Sequence, residues 1–423
     1  METLTLEDYI KAGLFEFKNI RFATTLTCVE KQNICEKLDD IEVSFGFTRE
    51  RVTLVYEDKI LLGGFTSYEY QVLLQGDEEG FITIIDKVDT TGYGKTPKVM
   101  KKVLKSYLDY RKYHYRESRH LIYLFAKPQP QYLFKNSKRN INKKMLNDKQ
   151  LINYWVDILD SPLFEVNLNY KKYIYVPGNE LGQIKSLVKN SLDGWNYSTI
   201  YNENDIVKQV ILNLNDDCLT RLSKSEYNQD LSIKEFLLIL PFTEECNTGQ
   251  LVATFFLSNF NMNCKKGLLE RDVLDKLLME AAKKENQSGE EDNESTKSDN
   301  ELDHKEEGKN GYSKNDDASA NESEDSEDSE SLEPEDLINE IESRPEEEKS
   351  FYRIFNIITN TSDFSTYEKA LKASQEVETI LLDNKIPIHE PKSVEGLKFG
   401  KQKQVKRSGE INVINTSLIK RKK

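Results

Sequence analysis

Apolar and polar side chains alternate from Arg51 to Tyr56, with Val52, Leu54 and Tyr56 on one side, and this spacing predicts a strand. Ile60 to Leu74 reads as one long strand or two short ones, with Gly63-Gly64 as a bulge or kink. Phe81 to Val88 follows a turn over Gly76 to Gly80, which makes the region from Phe47 to Lys95 an antiparallel meander. After Asp89-Thr90-Thr91-Gly92-Tyr93-Gly94 the period changes. Val99, Met100, Val103, Leu104, Tyr107 and Leu108 recur at helical spacing and predict a helix over Lys98 to Arg111, opened by Pro97. Leu121 to Phe125 reads as a short buried strand ended by Ala126-Lys127-Pro128, and Lys149 to Leu159 as an amphipathic helix.

Further along, Val176-Pro177-Gly178 precedes a helix over Glu180 to Lys189. The apolar runs Ile206 to Leu212, Phe236 to Pro241 and Leu251 to Leu257 are strand candidates, and Val273 to Lys284, Lys349 to Ile358 and Tyr367 to Leu382 are helical by period. Charge then divides the chain of 423 residues unevenly. Between Glu285 and Glu348 there are 26 Asp or Glu against five Lys or Arg, with Tyr312 the only aromatic. This stretch carries −21 of a net −14, so everything else sums to +7. Such a segment cannot bury enough apolar surface to offset its ordering entropy. The expected organisation is a body over 1–284, a disordered acidic insert over 285–348, a helical completion of the body over 349–390 and a basic tail over 391–423. The insert is read as a solvated linker, with binding to basic surfaces, or folding back to screen a basic face of the body, as the alternatives.

The remaining composition excludes more than it selects. Five cysteines form no CxxC pair and lie far from the four histidines, so no zinc site is expected. The start Met1-Glu2-Thr3 is not secretory, which with an odd cysteine count suggests a reducing compartment. The apolar runs are too short to span a bilayer, so no membrane is expected. Neither Gly-x-Ser-x-Gly nor Gly-x-x-x-x-Gly-Lys occurs. Lys401 to Arg407 and Lys420 to Lys423 are basic clusters that suit nuclear import or a nonspecific phosphate-binding tail. Gly92 to Lys98 is a lysine-bearing loop opening a helix, where free amides with Lys95, Lys98 and Lys101 suit a pyrophosphate; a purely structural turn is the alternative. Asp216-Asp217 reads as a helix N-cap or a functional pair, and Trp155 as core or site.

Collinear motifs narrow these alternatives. Phe125-Ala126-Lys127-Pro128-Gln129-Pro130-Gln131-Tyr132-Leu133-Phe134, then Lys143-Lys144-Met145-Leu146-Asn147 and Tyr154-Trp155 with Ile158-Leu159-Asp160, resembles the central signature of the regulator-of-Ty-transposition family of fungal histone acetyltransferases. Asp89 to Tyr93, Val176-Pro177-Gly178 with Trp195, Asp216-Asp217 with Arg221, the helices from Phe351 to Leu382 and the tail from Ile414 follow in the family's order. The resemblance implies an α/β fold with a central, mostly antiparallel sheet surrounded by helices, similar to the CBP type of acetyltransferase. It implies acetyl transfer from acetyl-CoA to lysines of histone H-three, with no metal, in the nucleus, in chromatin assembly and the DNA-damage response. The implied partners are histone H-three with histone H-four and histone chaperones of the nucleosome-assembly and antisilencing types; direct nucleic-acid binding is not expected.

Carried over residue by residue, Val88, Asp89 and Thr90 would lie beside the acetyl and pantetheine groups, and Pro97, Lys98, Val99, Met100 and Lys101 would hold the pyrophosphate. Phe125, Gln129, Lys144, Met145, Leu146 and Tyr154 would line the cofactor groove. Tyr132, Trp155, Asp216 and Asp217 would surround the target lysine, with Asp89 close by. Some positions depart from the family. Cys218-Leu219 stands where Pro-Lys is usual, removing the lysine that is autoacetylated in the family; Lys144 replaces a His and Tyr154 a Trp. The loop that helps dock a chaperone is reduced to Lys112 through Arg119. A weakly active histone-binding scaffold, or a CoA-dependent acyltransferase with another substrate, is the alternative reading.

Overall fold

In a computed structural model, residues 4–27, 30–38, 41–75, 78–164, 169–188, 192–213, 218–243, 246, 249–260, 346–395 and 397–399 are described. The helix expected over Val273 to Lys284, most of the acidic insert and both basic clusters lie outside these residues.

Among the described residues ten strands form the sheet: β1 (Ile20–Leu26), β2 (Glu30–Gln32), β3 (Lys37–Leu38), β4 (Ile41–Glu57), β5 (Ile60–Leu74), β6 (Glu78–Thr90), β7 (Arg119–Ala126), β8 (Lys171–Tyr175), β9 (Trp195–Tyr197) and β10 (Ala253–Ser258). They run in the order β1-β4-β5-β6-β7-β10-β8-β9, with β2 and β3 on β4. The expected meander is present as β4, β5 and β6, all antiparallel. A register irregularity between Val55 and Tyr56 falls opposite Leu61 to Gly63, beside the glycine pair expected to kink the strand. Most pairs are antiparallel, but β6–β7 and β8–β9 are parallel.

The helices are α1 (Leu6–Gly13), α2 (Val99–His114), α3 (Asp148–Asp160), α4 (Leu181–Leu187), α5 (Val207–Val210), α6 (Cys218–Ser223), α7 (Ile233–Ile239), α8 (Glu346–Asn356) and α9 (Tyr367–Asp383). Strand alternation sends neighbouring residues into different cores. Ile85, Ile122, Leu124, Phe255 and Leu257 pack under α2 and α3, against Val103, Leu104, Tyr107, Ile152, Trp155 and Val156. On the opposite face, Ile82, Ile84, Tyr123 and Phe256 meet Val207, Val210, Ile233 and Phe236. Val52, Leu54 and Tyr56 meet Phe351, Ile354, Ala370 and Val377 of α8 and α9. Helices α8 and α9 are thus packed on β4 and β5, and Ser374 Oγ accepts from the Leu61 amide at 2.9 Å.

Two expected strands are helical. Ile206 to Leu212 contains α5, because the Val207 and Lys208 amides are drawn to the Leu231 and Gln229 carbonyls across a compact loop rather than to a sheet neighbour. Phe236 to Pro241 belongs to α7 and a following 3₁₀ turn. Ser232 and Glu235 form a capping box there, and only Ile233 and Phe236 of the helix are buried, which is a one-sided helical pattern inside an apolar run.

A cleft at the fork of two parallel strands

The parallel pairing of β6 with β7 runs from Gly80 opposite Arg119 to Ile85 opposite Leu124 and stops there. β6 continues to Thr90 and stays paired with β5, while β7 continues to Ala126 and stays paired with β10. The two strands therefore fork after Ile85 and Leu124. A cleft of about 600 Å³ lies at this fork. Its walls are Asp86 and Val88 to Thr90 from β6, Leu124 to Lys127 from β7 and the following loop, the Gly94 to Lys101 turn into α2, the Asn142 to Leu146 loop, and Leu151, Tyr154 and Trp155 of α3. Every candidate cofactor-binding residue, together with Asp89, Tyr132 and Trp155, lines this one cleft. Asp216 and Asp217 lie outside the described residues, immediately before α6.

Asp89 organises the wall without presenting a free carboxylate. It is 5% exposed. Its Oδ2 accepts from the amides of Tyr132 and Leu133 at 3.1 Å and of Phe134 at 3.2 Å. Its Oδ1 accepts from the Thr90 amide at 2.8 Å and is 2.6 Å from Lys143 Nζ. Five donors occupy one carboxylate, so Asp89 positions the loop and is not disposed to contact a reacting amine. Burial lowers the Lys143 pKa, and Asp89 partly offsets this. Tyr132 is held the same way: its hydroxyl donates to the Lys127 carbonyl and accepts from the Gln129 amide, and burial pushes its pKa up to about 12.

The turn into α2 is built on Glu57. That carboxylate accepts from the Lys95 and Thr96 amides at 2.5 and 3.3 Å and from the Thr96 hydroxyl. Lys98 then takes φ 68° as the N-cap, with no side chain capping α2. The first-turn amides of Val99, Met100 and Lys101 have no intrahelical acceptor and open on a region that favours negative charge. Lys101, however, pairs with Asp157, and Lys105 stands 3.5 Å from the same carboxylate. Lys101 thus lines the cleft with a carboxylate partner from α3 that Lys95 and Lys98 do not share.

Gly92 has φ +85°, and a Cβ there would lie 2.6 Å from Asn140 Nδ2 and 2.8 Å from the Lys143 backbone. Gly92→Ala should therefore cost more than about 1 kcal/mol, read as a lower urea midpoint. An unchanged midpoint would show that the 140–143 loop yields freely. Trp155 combines two roles, lining the cleft while 3% exposed in the α2–α3 core. Trp155→Ala should therefore lower stability by about 3–5 kcal/mol, contrary to a purely functional role. Thermal unfolding indistinguishable from wild type would contradict this.

Glu57, Asp86, Asn140, Asn142 and Lys143 escape the sequence reading. Their partners are distant in the chain, as with Asn140 Nδ2 donating to the Thr91 carbonyl at 2.8 Å, and nothing in Lys143-Lys144 marks which lysine turns inward.

The profile of the KAT11-type histone acetyltransferase domain matches residues 100–380. The chain belongs to this family. It is 27% identical over 224 residues to the histone acetyltransferase rtt109 of Schizosaccharomyces pombe, covering 48% of this chain and 58% of that protein. It is 29% identical over 135 residues to the histone acetyltransferase RTT109 of Candida albicans, covering 31% of this chain and 36% of that one. These matches span about half or less of the relatives' lengths. The crystal structure of Rtt109 from Aspergillus fumigatus superposes with TM-score 0.56 at 14% identity, covering 90% of this chain and 96% of that one, and shares the fold.

Proposed function

We propose that this chain transfers the acetyl group of acetyl-CoA to lysine side chains of histone H-three. The observation that carries the reading is the forked cleft, open between two strands and ending on an uncapped helix N-terminus. A long ligand with an anionic end and an apolar arm suits it. Amides of Val99 to Lys101 with Lys95 and Lys98 would hold a pyrophosphate. Val88, Thr90, Phe125, Met145, Leu146 and Tyr154 would wall the arm, with Gln129 and Lys144 at the rim. Acetyl-CoA supplies an activated thioester when bound.

The chain's own residues would prepare the amine. A lysine of reference pKa about 10.4 costs roughly 4.6 kcal/mol to deprotonate at pH 7. The rings of Trp155 and Tyr132 would disfavour the ammonium by desolvation. Asp217, next to Asp216 in the sequence, would orient the lysine. An aspartate near its reference pKa of about 3.9 is a weak base for an amine. Direct attack without an acyl-enzyme fits the absence of a Cys–His pair among the described residues lining the cleft. In the cell we place this activity in the nucleus, in chromatin assembly and the DNA-damage response. Histone H-three would be presented with histone H-four by chaperones of the nucleosome-assembly and antisilencing types. The connection from α2 to β7 is only four residues, Tyr115 to Ser118, so a chaperone has little loop to grip there.

Labelled acetyl-CoA incubated with the protein and core histones should place label on histone H-three. Failure to bind acetyl-CoA leaves a histone-binding scaffold, and binding without histone labelling leaves an acyltransferase with another substrate. The ion pairing separates the lysines of the turn. Lys95→Ala with Lys98→Ala should weaken acetyl-CoA binding more than Lys101→Ala, by a few-fold to tens-fold at low salt and less at high salt. Equal effects from all three would place the phosphates elsewhere.

A further inference from the structure

We propose that Asp157 on α3 holds Lys101 and yields it to a ligand phosphate, with Lys105 taking over the carboxylate while Lys101 is away. The inference rests on the acetyltransferase reading and adds to it a device that sets how long CoA stays in the cleft.

Lys101 and Lys105 lie one helical turn apart on α2, and both face Asp157. They approach the same oxygen, Oδ2, Lys101 in close contact and Lys105 at 3.5 Å. Two ammonium groups on one carboxylate leave a positive charge in excess beside the open first turn of α2, where an anion is already favoured. The two lysines are not equivalent. Lys101 lines the cleft and its side chain is 30% exposed, whereas that of Lys105 is 12% exposed and stands outside the lining. Lys101 is therefore the partner placed to turn toward a ligand, and Lys105 the partner that stays.

A carboxylate with a single cation would be stranded by such a move. Lys105 removes that cost. Burial lowers the Lys105 pKa, with Asp157 opposing the fall and Lys101 adding to it, so departure of Lys101 strengthens the remaining pair. Burial raises the Asp157 pKa, but the two lysines outweigh it and hold the carboxyl below its ordinary value, so it stays charged. Lys102, the next residue of α2, is paired with Glu16 and cannot serve in the same way. Because Asp157 competes for Lys101, it offsets part of the attraction between that lysine and the phosphates, and CoA leaves sooner.

Binding and release of CoA by the full chain test this, at low and at high salt. Asp157→Asn keeps the side chain's shape and gives up its hold on Lys101. CoA should then bind about two- to five-fold more tightly, mostly through slower release. Lys105→Met removes the replacement cation and should weaken CoA by a similar factor. Both shifts should shrink at high salt. Double variants separate the exchange from bare charge: Asp157→Asn should give no gain in a Lys101→Ala background, and Lys105→Met no loss in an Asp157→Asn background. A gain that survives without Lys101, a loss that survives without Asp157, or an Asp157→Asn chain that binds CoA no more tightly than wild type overturns the assignment. Should Lys105→Met fail to fold, the Asp157 and Lys101 variants decide alone. A wild-type chain that binds no CoA overturns the acetyltransferase reading instead.

Discussion

Replacing Asp89 with Ala should lower folding stability by about 3–5 kcal/mol, because it removes the acceptor for five donors and leaves Lys143 buried without its counter-ion. The loss should concentrate on the loop that Asp89 holds. Residues 127–147 should become susceptible to limited proteolysis at temperatures where the sheet is still intact. Asp89→Asn keeps the volume but turns one oxygen into an NH₂ group facing donors, so it should show much of the same effect. A urea midpoint and a cleavage pattern like those of wild type in both variants would remove Asp89 from the role assigned to it. Activity would fall in either variant through the displaced Tyr132 loop.

Glu69→Ala should be comparably damaging. Glu69 Oε1 lies 2.8 Å from Arg51 Nε, Oε2 lies 3.0 Å from Arg111, and the Tyr107 hydroxyl donates to Oε1 at 3.2 Å. Arg51, Arg111 and Tyr107 are buried and Glu69 nearly so, so truncation leaves two guanidinium groups without a carboxylate, a loss of about 3–5 kcal/mol. Burial raises the Glu69 pKa, but Arg111 and Arg51 together outweigh it and hold the carboxyl at about 2. The folded value is below the unfolded one, about 4.3. The contribution is therefore complete above the unfolded value and lost as pH falls through the folded one. The gap in urea midpoint between wild type and Glu69→Gln should be wide at pH 7 and close between about pH 4.3 and pH 2. A gap independent of pH would mean that packing, not charge, holds this site.

Legibility in the sequence followed the range of the interaction. The helices Val99–His114 and Tyr367–Asp383 are readable because their periods are imposed by one buried face, and the strands Ile60–Leu74 and Ala253–Ser258 because turn and breaker residues bound runs buried on both faces. Ile206 to Leu212 and Phe236 to Pro241 read as strands but are helical, because an apolar run has no period of its own and the Ser232–Glu235 cap and carbonyls across a loop decide between the two. The lining of the cleft was anticipated through collinear motifs rather than physical pattern. The pairs that shape it, Glu57 with Lys95 and Thr96, Asp89 with Lys143 and Lys101 with Asp157, join distant segments and leave no local trace. Lys101 illustrates the cost of reading charge alone: a lysine in a phosphate-like turn is paired with a carboxylate from another helix.

Helix α2 begins at the cleft and carries Asp109, Arg111 and Lys112 into the protein at its far end. Arg111 meets Glu69, Asp109 Oδ2 accepts from the Leu163 and Phe164 amides at 2.6 and 2.9 Å, and the Tyr107 hydroxyl reaches Ser67 at 2.9 Å. The cleft thus has one clamped jaw and one hung from a single carboxylate. Ligand binding should be accommodated by the second: amide exchange should slow across residues 127–147 while Val103 to Arg111, already protected, changes little. A long ligand is then met by a fixed edge that sets its register and a closing edge that sets how long it stays.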